Sequence, residues 1–322
     1  MASAGDVLTF QANNQAPSYQ ASSGGVQHGL FEGYAIWTTT TTIELTYGVG
    51  DLIEIAGEMV DIDGLVDRFV TTADTLLTAL GGNSGNIMAP DTTYYLYVSN
   101  SVPAYSPLTI RASNIPPARD PSSGGILYLD PTGAGDGRYW RYVGIVRAYN
   151  NGTGNAEFRD NENDRGLANY YNRRRKPLFV CRNYVNDNVE TTFTGAITAG
   201  GVWTPLMAVT FVAHALGAGD YDNGVFAGCR AKWTSATNNV QVGLTDVAGN
   251  IIGACGLPGV GEGADVCVPR TMVPVATAFN GITMWGVRYT GAADDVIFTA
   301  DAKRNALAAD LPVTYIFGDI FG

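Results

Sequence analysis

Ile43-Glu44-Leu45-Thr46-Tyr47, then Gly48-Val49-Gly50-Asp51, then Leu52-Ile53-Glu54-Ile55: apolar and polar residues alternate on either side of a glycine-rich turn. A period of two sends successive side chains to opposite faces of an extended strand, so this stretch reads as a β-hairpin with one face toward a core. The same pattern extends in both directions. Upstream, Tyr34-Ala35-Ile36-Trp37 leads into five threonines, Thr38 to Thr42, and downstream Met59-Val60-Asp61-Ile62 ends the run at Asp63-Gly64. Farther along, Thr93-Tyr94-Tyr95-Leu96-Tyr97-Val98, Ile126-Leu127-Tyr128-Leu129 and Tyr139-Trp140-Arg141-Tyr142-Val143-Gly144-Ile145-Val146 are rich in residues that suit a pleated surface. The segments between them carry Pro, Ser and Gly, as loops do. Two short helices are expected, one over 73–80 stopped by Gly81-Gly82 and one over 302–309.

The chain has 322 residues, enough for two domains of ordinary size, and nearly half of them are hydrophobic, so a real core can be buried. Residues 1–30 are small and polar except for Val7, Leu8 and Phe10, and read as an extended arm, either without fixed structure or laid against a partner through those three. Residues 31–165 form a β-rich base domain. The wholly polar run Asp160 to Gly166 and the basic run Arg173-Arg174-Arg175-Lys176 mark a boundary, with 166–176 as linker. Residues 177–322 hold a succession of short strand-like runs with regular turns, the pattern of a β-sandwich of jelly-roll type. The fold class is therefore all-β: an N-terminal extended arm and base domain, then a C-terminal jelly-roll-like sandwich.

The formal net charge is −11. Nucleic-acid affinity comes largely from Lys and Arg neutralising phosphates, so a genome-packaging role is not expected. The N-terminus lacks the basic and apolar segments of a secretory signal, and no apolar run approaches the ~20 residues that span a bilayer. The expectation is a protein made in a cytoplasm that stays soluble. Four cysteines, Cys181, Cys229, Cys255 and Cys267, form no Cys-x-x-Cys pair, so zinc is not suggested. They read as buried thiols or, for Cys255 and Cys267, as one disulfide closing the glycine-rich loop between them.

Signals for chemistry are sparse. His28 lies in the polar arm and His214 in an apolar strand. There is no Gly-x-Ser-x-Gly elbow, no His-Glu-x-x-His helix and no phosphate-binding P-loop. Gly256 to Gly263 contains Pro258 and Glu262 and reads as a surface loop. Paired carboxylates, Glu54 with Glu44 or Asp294 with Asp295, are the one catalytic arrangement left open, because a glycosidase needs two. Asp220, Asp222 and Asn223 have calcium-like spacing, as do Asp61-x-Asp63-Gly64 and Asp160-x-Glu162-x-Asp164-x-Gly166, yet none is a complete EF-hand loop and each also reads as an ordinary turn. No cofactor is expected, calcium being the one ion with any sequence support. The basic run 173–176 is expected to pair with the acidic stretch 160–164 or with another subunit. Among the aromatics, Tyr94, Tyr97, Trp140 and Tyr142 are candidates for a binding surface, where exposed rings stack on sugars or anchor a protein; the other reading places them in a core.

One segment carries a resemblance. Asp91-Thr92-Thr93-Tyr94-Tyr95-Leu96-Tyr97-Val98-Ser99-Asn100-Ser101 resembles a Tyr-rich strand common in tail fibre, spike and related appendage proteins of tailed phages. There it is followed by a Pro-rich connection, a strand of the type Arg-Tyr-x-Gly-x-Val-Arg and a short segment ending in Phe. Here Arg141-Tyr142-Val143-Gly144-Ile145-Val146-Arg147 and Ala156-Glu157-Phe158 match, and the upstream stretch ending in Gly57-Glu58-Met59-Val60 also fits. The resemblance covers roughly residues 40–160. It implies a non-catalytic virion protein, a homotrimer held to other particle proteins by its N-terminal arm, with the distal domain displayed toward the host and a surface glycan as a partner. No long repetitive shaft separates the halves, so a short appendage, a collar or head decoration, or an adaptor is implied, and not a long fibre. A glycan-binding or glycan-depolymerising module is the alternative.

Overall fold

The structure is a computed structural model; it describes residues 7–9, 18–20, 31–47, 52–61, 68–99, 109–120, 126–130, 132, 136–181, 191–193, 204–214, 226–232, 239–257, 265–273, 278–289, 296–298 and 315–321. Among these, every regular element is a β-strand except one 3-10 turn at Asp136–Tyr139. No described helix is long and apolar enough to cross a membrane. The chain divides into two compact units, Met1–Phe158 with Asn169–Asn172, and Arg159–Ala168 with Arg173–Gly322. Within residues 166–176, read as linker, the chain crosses between the units twice and contributes to both.

In the first unit Thr92–Ser99 lies between Trp140–Asn150 and Thr109–Ser113, all antiparallel. Tyr97 faces Tyr142 and Tyr95 faces Ile145, with a bulge between Tyr142 and Gly144. Ala156–Phe158 folds back on the far end of Trp140–Asn150. Trp140 through Val146 are all buried. A strand covered on both faces loses alternation and reads as a continuous run.

A second sheet holds Gly33–Thr39, Thr42–Tyr47 and Phe69–Thr71, turned within the threonine run where Thr39 pairs with Thr42. Here the structure corrects the opening hairpin. Leu52–Ile55 pairs with Glu58–Asp61 and not with Thr42–Tyr47, and the two halves of the quoted stretch lie in different sheets. The tight turn is Ala56-Gly57, with φ of 52° and 89°. Positive φ at both central residues is what a two-residue turn needs to match strand twist. The helix expected over 73–80 is likewise absent. The backbone N–H groups of Leu76, Leu77 and Thr78 donate to Asn86, Ala112 and Gly82, which leaves no helical ladder. Residues 302–309 lie outside the described residues. In the arm, Val7–Thr9 pairs antiparallel with Ser18–Gln20. Phe10 is outside the described residues.

Among its described residues the second unit has eight principal strands: Arg175–Cys181, Thr204–Val212, Phe226–Lys232, Asn239–Thr245, Ile251–Leu257, Asp265–Met272, Phe279–Tyr289 and Tyr315–Phe321. Counted in that order, one sheet runs first, eighth, third, sixth, and the other second, seventh, fourth, fifth. This is jelly-roll order, two four-stranded antiparallel sheets with the chain passing between them. Leu178, Ile316, Ile320, Cys229 and Val268 from one sheet meet Val209, Phe211, Ile282, Met284, Val242 and Leu244 from the other in a single core. Asp164–Arg165 adds a short parallel strand beside Thr210-Phe211. The acidic run is tied down there. Asp160 takes the Lys176 ammonium at 2.7 Å, Asp164 accepts from Thr210 Oγ1 at 2.6 Å, and Arg165 donates to the carbonyls of Asp160 and Pro177. The expected pairing of 173–176 with 160–164 thus holds for Lys176, whereas Arg175 goes elsewhere.

Candidate functional site

The last strand lines a polar cavity of the second unit. In Tyr315-Ile316-Phe317-Gly318-Asp319-Ile320, Ile316 and Ile320 are buried in the core, so period two turns Tyr315, Phe317 and Asp319 to the outer face. The register sets Phe179 beside Phe317 on one side and Gly228 on the other. Any side chain at Gly228 would lie 2.7 Å from the Phe317 ring, so glycine is what lets the ring settle against that strand. Phe179, Tyr315 and Phe317 form a row with ring centroids 5.8 Å apart at each step, all half-buried.

Asp319 ends the row. Its carboxylate is 4% exposed, and Oδ2 takes both Arg175, at 2.8 Å, and Arg270. Oδ1 is buried and accepts no hydrogen bond from the described residues. The Asp319 contact raises the pKa of Arg175 through hydrogen bonding and charge. Both guanidinium groups reach the surface, with side chains 60% and 41% exposed. They line a cavity of about 510 Å³ together with Pro177, Phe179, Phe317 and Glu162, the last exposed. On the other sheet, Trp285 donates its indole N–H to Thr245 Oγ1 at 2.8 Å and borders an apolar cleft of about 340 Å³ with Gly243, Ala254 and the 70%-exposed Ile251.

The sequence had placed binding aromatics in the first unit, and the structure corrects this. Tyr94, Tyr97, Trp140 and Tyr142 are 0–2% exposed. Tyr97 donates its hydroxyl to the Ile115 carbonyl at 2.7 Å, Tyr94 Oη accepts from the Ala89 N–H at 2.7 Å, and Tyr142 packs against Tyr95, Tyr97 and Tyr170. They belong to the core because their strands are covered on both faces.

Burial raises the pKa values of Tyr95, Tyr97, Tyr128 and Tyr171. In the unfolded chain these phenols ionise near the ordinary value of about 10, while the folded unit keeps them protonated. Their contribution to stability is complete below that pH and is lost as pH rises through and beyond it. The denaturant midpoint of the first unit is therefore expected to fall steeply above about pH 10, with tyrosinate absorbance appearing together with unfolding. Tyrosinate rising to completion in a chain that still has its native circular dichroism would contradict this.

The other sequence candidates scatter. Glu54 is buried against Arg141, while Glu44 pairs with Arg68 at 3.1 Å, so the two are engaged separately and do not form a reacting pair. Asp294 and Asp295 lie outside the described residues, as do Asp220, Asp222, Asn223 and His28. His214 is buried. No group of three or more His, Cys, Asp or Glu among the described residues is placed to hold a metal. Cys229, Cys255 and Cys267 are free thiols, and the alternative reading, a Cys255–Cys267 bridge, is not present. Cys255 sits in one sheet and packs toward the core, whereas Cys267 is exposed on a strand of the other sheet. Burial pushes the Cys229 thiol up to about 12.

No family model matches the chain, and no curated protein matches it. Among solved structures, it is similar to the VP2 subviral particle of infectious bursal disease virus, at 12% identity and a TM-score of 0.31, over 75% of this chain and 54% of that one. The chain thus spans about half the length of that protein. It is also similar to the structure of the infectious bursal disease virus Gx strain, at 11% identity and a TM-score of 0.26 over 93% and 84% of the two chains. A Bacillus subtilis glycoside hydrolase family 43 arabinoxylan arabinofuranohydrolase, crystallised with cellotetraose, matches at 14% identity and a TM-score of 0.15 over 93% and 69%. Likeness at this level does not establish a shared fold or role.

Proposed function

We propose that this chain is a non-catalytic structural protein of a tailed-phage particle, a short homotrimeric appendage. Val7, Leu8 and Phe10 of its arm hold it to other virion proteins, and its C-terminal jelly roll is displayed outward. One observation carries the reading. The three motifs that resemble those of phage appendage proteins lie side by side in one sheet, the Tyr-rich strand along the Arg-Tyr-x-Gly-x-Val-Arg strand and the Phe-ended segment folded against it. Motifs brought into one sheet are what a common module requires, and a chance match of separate short runs does not. The acidic body suits dense display because like charge keeps neighbouring copies soluble. Multivalent presentation would amplify weak host contacts.

The expected result is a species with three times the 34.0 kDa chain mass by light scattering, and the same chain in the peptide inventory of purified particles. A stable monomer absent from every particle fraction would overturn the proposal. The paired-arginine cavity with its aromatic row favours a second reading for the displayed domain, a glycan-binding module. Retention of host-surface glycan without release of oligosaccharide is the outcome that fits it, and release would mean a hydrolase.

A further inference from the structure

We infer that the strand Ile251–Leu257 pairs edge to edge with the same strand of a second copy of this chain. Asn239–Thr245 takes one side of it, and no strand among the described residues pairs with the other. An edge strand presents a row of N–H and C=O groups to any strand that approaches, and proteins guard such rows with charge or proline. No residue from Ile251 to Leu257 is charged and none is proline. Its register with Asn239–Thr245 is unbroken from Gly253 to Leu257 and shifts only at the Ile251 end. The other edges of the jelly roll are guarded. Arg175–Cys181 carries Arg175, Lys176 and Pro177, and Asp265–Met272 carries Asp265, Pro269 and Arg270. Thr204–Val212 carries Pro205 and is flanked by Asp164–Arg165. An unguarded edge whose one unguarded match is itself gives a contact about a two-fold axis, with the two strands antiparallel.

Two further observations favour a second copy as the occupant. Ile251, at 70%, is the most exposed large hydrophobic side chain among the described residues, and Ala254 is exposed as well. The two face outward together, because their cross-strand partners Thr245 and Gly243 alternate with the core residues Val242 and Leu244. A two-fold pair sets the neighbour's Ile251 and Ala254 on that same face, so the apolar side chains of both copies lie side by side. Charge points the same way. At −11 each, two copies repel, and they meet at least cost where neither brings a charge to the contact. The pairing turns the outer sheets of two jelly rolls into one continuous sheet. Under the appendage reading, it links one appendage to its neighbour.

Sedimentation velocity of the full chain over a concentration series tests this, and the mass is expected to double as the concentration rises. Ala254→Lys sets an ammonium at an exposed position, so the fold should persist, as a thermal melt will verify. Like charges then face each other across the two-fold axis, and association should weaken by about tenfold or more. Ala254→Glu alone should do the same, whereas an equimolar mixture of the two variants should associate again. Ile251→Lys is the second variant and should also weaken association. A constant mass at every concentration, full association of folded Ala254→Lys, or a mixture that fails to recover overturns the inference. A chain that never doubles by itself, yet loses its place in particles on Ala254→Lys, assigns the edge to a different virion protein and overturns it too. The unpaired mass of Ala254→Lys tests the appendage reading separately: a trimer upholds that reading and a monomer sinks it, however the edge behaves.

Discussion

Arg141→Ala is expected to destabilise the first unit by about 3–5 kcal/mol, read as a lower denaturant midpoint for its transition. Arg141 is 0% exposed, its Nη1 bonded to the Glu54 carbonyl and 3.4 Å from Glu54 Oε2. Its guanidinium carbon lies 5.3 Å from the Phe31 ring centroid and 4.7 Å from that of Tyr171, and those rings stack at 4.7 Å. Glu54 Oε1 accepts from the Gly57 N–H at 2.6 Å, so the carboxylate also pins the Ala56-Gly57 turn. Removing the arginine leaves Glu54 buried without its cation, a loss set by desolvation and not by the modest net worth of the pair. The double variant Arg141→Met with Glu54→Leu should recover most of the stability, because an apolar pair of similar volume has no charge to desolvate. A single-variant loss below about 1 kcal/mol would mean that water reaches Glu54 and that the pair behaves as a surface one.

Arg141 also shows where the sequence was legible and where it was not. Strand content could be read because Thr93 to Val98 and Tyr139 to Val146 are β-formers whatever they pack against. Which strand neighbours which could not, since local alternation looks the same in either pairing; Thr42–Tyr47 and Leu52–Ile55 flank one loop and still join different sheets. The jelly-roll reading rested on spacing alone, and the 1-8-3-6 order depends on contacts as distant as Arg175 with Phe321. For Tyr94, Tyr97, Trp140 and Tyr142 the sequence left surface and core both open, because a ring with a polar handle suits either; Tyr94 and Tyr97 use their hydroxyls on the backbone of Ala89 and Ile115. The arginine cavity was half visible: Arg175 stood in the conspicuous basic run, but nothing near Asp319 or Arg270 in sequence announces that they meet it. A charged residue flanked by apolar ones in a strand, as in Phe317-Gly318-Asp319-Ile320 or Trp140-Arg141-Tyr142, was the available signal.

Asn169→Ala is expected to cost the first unit about 2–5 kcal/mol, although it alters a short polar side chain in a stretch that reads as a linker. Asn169 is 4% exposed. Its Oδ1 accepts from the Ala35 N–H at 2.6 Å and its Nδ2 donates to the Ala35 carbonyl at 3.0 Å, reproducing with a side chain the two bonds of a strand neighbour. Three residues on, Asn172 Nδ2 donates to the carbonyls of Phe31 at 2.9 Å and Gly33 at 2.8 Å. The amides thus act as a surrogate edge for Gly33–Thr39 where no strand among the described residues pairs with it. Alanine at 169 would leave one buried N–H and one buried C=O unsatisfied, each costing about 1–3 kcal/mol. Asn169→Asp keeps the acceptor but turns the donor into a second acceptor facing the Ala35 carbonyl, so it should be at least as harmful at neutral pH. Amide hydrogen exchange gives the sharper reading: protection at Ala35 should collapse in Asn169→Ala while that of Leu96 and Ile145, in the interior sheet, falls only with the global stability. Retained protection at Ala35 would show that another group satisfies it, and the clamp would then have to be sought in Asn172.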